Sequence, residues 1–192
     1  IHGGAGTINR EALSAEAERE YRGALQSILE KGRDALAAGA SALDAVTLAV
    51  SMLEDCPLFN AGRGAVYTSA ETHEMDAAIM DGSTLRTGAL SCVHGVKNPI
   101  RAARVVMEQS PHVLMTSDGA MAFLREHGVE FMPDAYFDTE HRFGPAASGA
   151  GEAARRGSAR PRRRGCGEQT FLRRKSARRE DENGHCGGGG AG

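Results

Sequence analysis

The sequence predicts a layered protein of helices against strands, α/β or α+β in class, followed by a tail that belongs to neither layer. Three observations predict it. Residues 11–38 and 42–56 place apolar side chains at helical intervals. Residues 64–68, 73–82 and 85–96 read as strands, the last two joined by the turn sequence DGS. After residue 143, Phe171 and Leu172 are the only large apolar side chains left. Strands that meet in hairpins and are flanked by helices make layers, and 192 residues are enough to bury one core.

The elements follow in order. Ile1 and His2 have strand character and run into a glycine loop, so the strand is expected to begin upstream of Ile1. The first residue is Ile rather than Met, and an N-terminal piece is expected to precede it. In 11–38, Tyr21, Ala24, Leu25, Ile28 and Leu29 form one helical face, and Gly39 is the expected stop. Ser41, with Asp44 three residues on, is an acidic variant of the capping box and opens a second helix. Ala45, Val46, Leu48, Ala49, Met52 and Leu53 make that helix apolar around most of its circumference, which predicts deep burial. CPLFNAGRG, 56–64, is a loop on its Pro, Asn and glycines. NPIRAARVVMEQ, 98–109, is a helix with Asn98 as cap and Pro99 at its first position. HVLMTS, 112–117, is a short strand, and 118–128 a helix stopped by Gly128.

Whole-chain averages hide a split. The net charge is −2, yet residues 144–192 carry 11 Lys+Arg against 5 Asp+Glu and 12 of the 25 glycines. Such a segment cannot bury enough apolar surface to offset its chain entropy, so a disordered Arg/Gly-rich tail is expected after a domain at 1–143. Cys56, Cys92, Cys166 and Cys186 form no C-x-x-C pair, which argues against a disulfide framework or zinc site and for reduced thiols in a cytoplasm. No signal peptide is expected, and no apolar run in the sequence is long enough to span a bilayer.

Two glycine loops could carry chemistry. HGGAG, 2–6, follows a strand; its glycines either make a tight turn or expose amide N–H groups to an anion. FNAGRG, 59–64, sets Asn60 on a glycine loop, where its amide either caps a turn or donates to a developing oxyanion. Asp76 and Asp81 could pair as acid and base, although Asp81 reads as the turn residue of MDGS and Asp76 as a strand residue needing a partner. The seven histidines show no metal-ligand spacing.

Taken together, IHGGAG, SALDAVTLAVSMLEDCPLFNAGRGAVYT and HEMDAAIMDGSTLRTGALSCVHGVKNPIRAARVVMEQSPHVLM resemble the plant-type L-asparaginase/isoaspartyl peptidase family of N-terminal-nucleophile hydrolases. The resemblance runs from residue 1 to about 143, and LEDCPLFNAGRGAV and MDGSTLRTGA are its most specific parts. It implies an α+β fold, a four-layer αββα sandwich, of which this chain would hold the α part only. It implies a precursor that cuts itself before a Thr in a G-T-V-G segment. The new N-terminal Thr of the β chain then attacks the side-chain amide of L-asparagine or the isopeptide carbonyl of a β-aspartyl dipeptide, with its own α-amine as base. Asn60, Gly3, Gly4 and Gly6 fall where the family supports the oxyanion or self-cleavage. A structural sodium ion would sit on main-chain oxygens of Leu53, Glu54, Cys56, Phe59, Ala61 and Arg63. No cofactor takes part in the chemistry. The partners implied are the β chain and, in the intact family, a second αβ unit; no membrane is involved.

The chain departs from the family at its end. It has no G-T-V-G, and its only Thr after residue 139 is Thr170, in EQTFL. The expected consequence is an inactive chain. Residues 180–191, written as codons and read one base later, permit K-T-K-M-G-T-V-G-A-V-A-L. A frameshift near residue 143 in a GC-rich gene therefore accounts for the tail. The alternative is an inactive fragment whose basic tail, with PRRRG at 161–165 and FLRRKSARR at 171–179, binds RNA or an acidic partner. Phe171 is the only aromatic residue near those charges, so specific nucleic-acid binding is not the expectation.

Overall fold

The computed structural model describes residues 1–4 and 13–143. The expected tail, 144–192, lies outside the described residues, as does Gly6. Helices and strands are mixed, as an α+β class requires. The order is α1 (Ala15–Ala37), α2 (Ala42–Asp55), β1 (Met75–Met80), β2 (Thr87–Val93), α3 (Pro99–Gln109), β3 (Leu114–Thr116), α4 (Ser117–Glu126) and α5 (Glu140–Phe143). Short 3-10 turns occupy Gly62–Gly64 and Asp134–Tyr136.

Both long helices start on a serine. Ser14 Oγ accepts the Ala17 N–H at 3.1 Å, and Glu16 and Glu18 place negative charge in the first turn, where the helix dipole favours it. Ser41 Oγ accepts the Asp44 N–H at 3.1 Å and donates to Asp44 Oδ2 at 2.6 Å. The Asp44 carboxylate therefore turns to the serine hydroxyl instead of reaching back to the Ser41 N–H, and the capping box is half formed. Beyond α1, Gly39 takes φ +89, a conformation that costs glycine least.

The α1–α2 pair has its own small core of Ile28, Leu53 and Phe59, with Tyr21 edge-on to Phe59 at 5.9 Å. The expectation of deep burial for α2 fails on one side. Val46 is 48% exposed, and Leu29 and Leu36 of α1 are half exposed beside it. With Ile1, Ala49 and Val50 they line an apolar groove of about 550 Å³. Among the described residues nothing packs there, so this strip of α2 stays uncovered, although Leu43 and Val50 of the same helix pack against the main core.

The sheet has the order β1-β2-β3, with β1 and β2 antiparallel and β2 and β3 parallel. Ala78 pairs with Ala89, and Ala89 with Leu114. The register slips between Met75 and Ala77, where Asp76 Oδ1 accepts the Cys92 N–H at 2.9 Å. Asp76 finds the partner it needs, and that partner is not Asp81. Helix α3 crosses the sheet so closely that a Cβ on Gly88 would lie 2.1 Å from Ala103 O; only glycine permits this approach. The main core lies between them and under α4: Leu90, Val93, Val106, Met107, Leu124 and Phe137. The opposite face of the sheet is open, with Ala78 and Leu114 exposed.

Three expectations need correction. Residues 65–68 are not a strand. Asn60 Oδ1 takes the Val66 N–H and Thr72 O takes the Thr68 N–H, so local partners consume the donors a ladder would use. The hairpin turn is longer than DGS: it closes through Asp81 N–H to Arg86 O and Leu85 N–H to Asp81 O, with Leu85 at φ +60. Asp81 is the turn residue, accepting from Ser83 N–H and Oγ and from Thr84 Oγ1. Asn98 holds the cap position of α3 without capping it; its amide donates to Asp55 Oδ1 at 3.0 Å. No helix among the described residues is long and apolar enough to cross a membrane.

Candidate active site

The loop that leaves α2 folds back on the helix end because two glycines let it. A Cβ on Gly62, at φ +51, would lie 2.4 Å from Glu54 O, and one on Gly64 would lie 2.1 Å from Phe59 O. Asn60 stands exposed on this loop. Its Oδ1 accepts the Val66 N–H at 3.0 Å, which fixes which end of the amide is which. The Nδ2 group keeps both hydrogens uncommitted among the described residues. A fixed amide with free donors is what stabilising an oxyanion requires.

The first glycine motif meets this loop. A Cβ on Gly3 would lie 2.8 Å from the ring of Phe59, the residue before Asn60, and 3.1 Å from Leu25, so the chain at Gly3 packs against the Phe59 side chain. Gly4 takes φ +110 and gives its N–H to His2 Nδ1 at 3.1 Å. In this arrangement the Gly4 amide serves the turn rather than an open site. The position of Gly6 lies outside the described residues.

The six residues expected to offer carbonyl oxygens are Leu53, Glu54, Cys56, Phe59, Ala61 and Arg63. Four of these oxygens each accept one loop hydrogen bond: Leu53 from Cys56, Cys56 from Phe59, Phe59 from Ala61, and Ala61 from Gly64. A carbonyl has two lone pairs, so each keeps one. Neutral oxygens from a single tight loop form a donor set suited to a hard cation of low charge. No group of three His, Cys, Asp or Glu capable of holding a metal occurs among the described residues.

The side chain of Glu54 does something else. It is buried, its Oε1 accepts the Ile100 N–H at 2.8 Å, and its Oε2 has no partner among the described residues. Burial pushes its pKa up to about 7, against the pull of Ile100 and Asn98. It thus ties the end of α2 to the first turn of α3, in place of the Asn98 cap. The Arg63 guanidinium lies 5.5 Å from the centre of the Tyr136 ring.

The family model described as asparaginase matches residues 1–170. The chain belongs to the asparaginase family. The isoaspartyl peptidase of Escherichia coli K12 is 53% identical over 143 residues, 74% of this chain and 44% of that protein. The isoaspartyl peptidase of Salmonella typhimurium is 53% identical over 156 residues, 80% of this chain and 50% of that one. The plant-type L-asparaginase of Pyrococcus furiosus is 49% identical over 134 residues, 67% of this chain and 40% of that one. The chain therefore spans about half the length of the curated relatives it matches.

Within this asparaginase-family chain the structure also joins residues that sequence reading left apart. Asp138 Oδ1 accepts the Tyr67 hydroxyl at 2.6 Å and lies 3.3 Å from His73 Nε2. Burial, and then the Asp138 carboxylate, push the Tyr67 hydroxyl up to about 12, so it stays a donor at neutral pH. Tyr67 and His73 together hold Asp138 below the usual carboxylate range. Arg142 Nε donates to Gly64 O at 2.7 Å. These pairs span 65 to 78 positions, so no local motif could have announced them.

Proposed function

We propose that this chain is the N-terminal part of a self-processing Thr-nucleophile amidohydrolase that acts on the side-chain amide of L-asparagine and on β-aspartyl dipeptides. Family membership and the names of the relatives support the reaction class. The observation that carries the role of this chain is Asn60: an exposed amide locked by the Val66 N–H, its own donors uncommitted among the described residues.

In the reaction, the nucleophilic Thr of the second chain gives its hydroxyl proton to its own α-amine, and its oxygen bonds to the amide carbonyl carbon. The carbonyl π electrons move to oxygen, and Asn60 Nδ2 donates to the anion so formed. Collapse expels the amine, which takes the proton, and water later repeats the sequence on the acyl enzyme. Asn60 contributes only while charge is on that oxygen, so its effect falls on kcat. Gly3 and Gly4 shape the loop beside it, and Gly6 completes that motif. The carbonyl oxygens of Leu53, Glu54, Cys56, Phe59, Ala61 and Arg63 would hold sodium, which would stiffen the loop and take no part in the chemistry.

The same reading places the domain at 1–143 within a four-layer αββα sandwich. The open sheet face at Ala78 and Leu114 and the groove beside Val46 are apolar surfaces that further layers would cover. The β chain is the partner, and two αβ units pair in the working enzyme, in a cytoplasm suited to the free thiols of Cys56 and Cys92. Residues 144–192 are read as the out-of-frame counterpart of the segment that should bring the Thr, so the chain as it stands is inactive. The test is ammonia release from L-asparagine by this chain and by one whose frame is restored after residue 143. Release by the restored chain alone is expected. Release by the unrestored chain, or by neither, overturns the proposal.

A further inference from the structure

The segment between Gly64 and Tyr67 has no sheet partner among the described residues, yet it carries the Val66 N–H that orients Asn60. It is held at both ends by a stretch of chain more than seventy positions away. At one end Arg142 Nε donates to Gly64 O at 2.7 Å. At the other the Tyr67 hydroxyl donates to Asp138 Oδ1 at 2.6 Å. That second fastening is itself braced. His73, with a side chain only 5% exposed, stands 3.3 Å from the same carboxylate oxygen. The His73 ring lies 4.2 Å from the Tyr67 ring and 5.9 Å from that of buried Phe137.

We propose that Asp138 and Arg142 are positioning residues for Asn60: they form a two-point clamp that keeps Val66 where its N–H can lock the Asn60 amide. The proposal rests on the reading of Asn60 given above, but the clamp is a geometric device and can be tested without turnover. Removing it frees segment 64–67 to move. The Asn60 Oδ1 then loses its fixed donor, the amide rotates, and its Nδ2 hydrogens no longer point to one place. Neither Asp138 nor Arg142 touches the reacting atoms; each acts through the backbone of this segment.

The experiment is site-resolved amide hydrogen exchange by NMR on the 192-residue chain. Its Asn60 side-chain signals are assigned by their disappearance in Asn60→Asp. The double variant Asp138→Ala/Arg142→Ala is expected to lower Val66 protection about tenfold or more and to shift the Asn60 NH2 pair. Protection of Leu90 and Val93, in the core strand β2, is expected to stay unchanged. A merely structural role would lower Val66 and Leu90 by the same factor, and that result overturns the proposal. So does an unchanged Val66. Should the double variant lose Leu90 protection altogether, Tyr67→Phe decides, because it deletes one hydroxyl and leaves the ring on His73. Reduced Val66 protection in that variant upholds the clamp, and wild-type protection overturns it. Because no catalysis is measured, loss of the clamp and loss of the amidohydrolase reading are separate results.

Discussion

The Glu54 carboxyl offers a stability test whose sign and size both follow from its surroundings. Its pKa in the folded chain is about 7, against an ordinary value of 4.5, chiefly because burial penalises the charge. Below pH 4.5 both the folded and unfolded chains hold the proton. Between about 4.5 and 7 the folded chain keeps it and the unfolded chain has lost it. Unfolding then releases a proton, so stability falls as pH rises through that window. A rise of about 2.5 units, at about 1.4 kcal/mol each, makes the loss on the order of 3 kcal/mol. Asp44, Asp81 and Asp138 are held below their ordinary value of 3.8 and act in the opposite sense, in a lower and separate window. Glu54→Gln keeps an oxygen to accept the Ile100 N–H and carries no charge. The assay is the urea midpoint of both chains at pH 5 and pH 8. The wild type is expected to weaken by about 2.5 kcal/mol more than the variant, slightly less than the full window because pH 5 lies above 4.5. Parallel losses in the two chains would refute the reasoning and show that the carboxylate is solvated.

Three further predictions follow from local geometry. Gly88→Ala would set a Cβ 2.1 Å from Ala103 O and must push α3 off the sheet, at a cost of about 1–3 kcal/mol measured by denaturant unfolding. Ser41→Ala deletes the acceptor for the Asp44 N–H and should cost about 1 kcal/mol, while Ser41→Asn should restore most of it. Asn60→Ala in the frame-restored chain should lower kcat for L-asparagine about 10²–10³-fold with KM little changed; a drop confined to KM would contradict the oxyanion role.

Much of the fold was legible because its signals are local. Ser41 beside Asp44 marks a helix start, Gly39 and Gly128 mark stops at φ +89 and +69, and the Asp81 turn separates two strands as written. Where the reading failed, a partner that the pattern does not register, near in sequence or far, had replaced the expected one. Val66 and Tyr67 alternate as a strand should, but Asn60 takes the Val66 N–H and Asp138 takes the Tyr67 hydroxyl. Asn98 has the right type and place for a cap, but Glu54, 46 residues before Ile100, supplies the acceptor instead. The candidate site divides in the same way. Asn60 and the glycines could be found from motif and resemblance, and Gly3 does meet Phe59. The clamp of Asp138 and Arg142 joins positions whose separation carries no periodic or motif signal.

The central claim is that this chain belongs to a precursor that cuts itself before a threonine, and that the threonine is out of frame here. The most direct test is intact-mass and N-terminal analysis of purified chains with and without the frame restored after residue 143. The account predicts two fragments from the restored chain, the second beginning Thr-Val-Gly, and one uncut species from the chain as it stands. A restored chain that stays whole, or a cut in the unrestored chain, would contradict it.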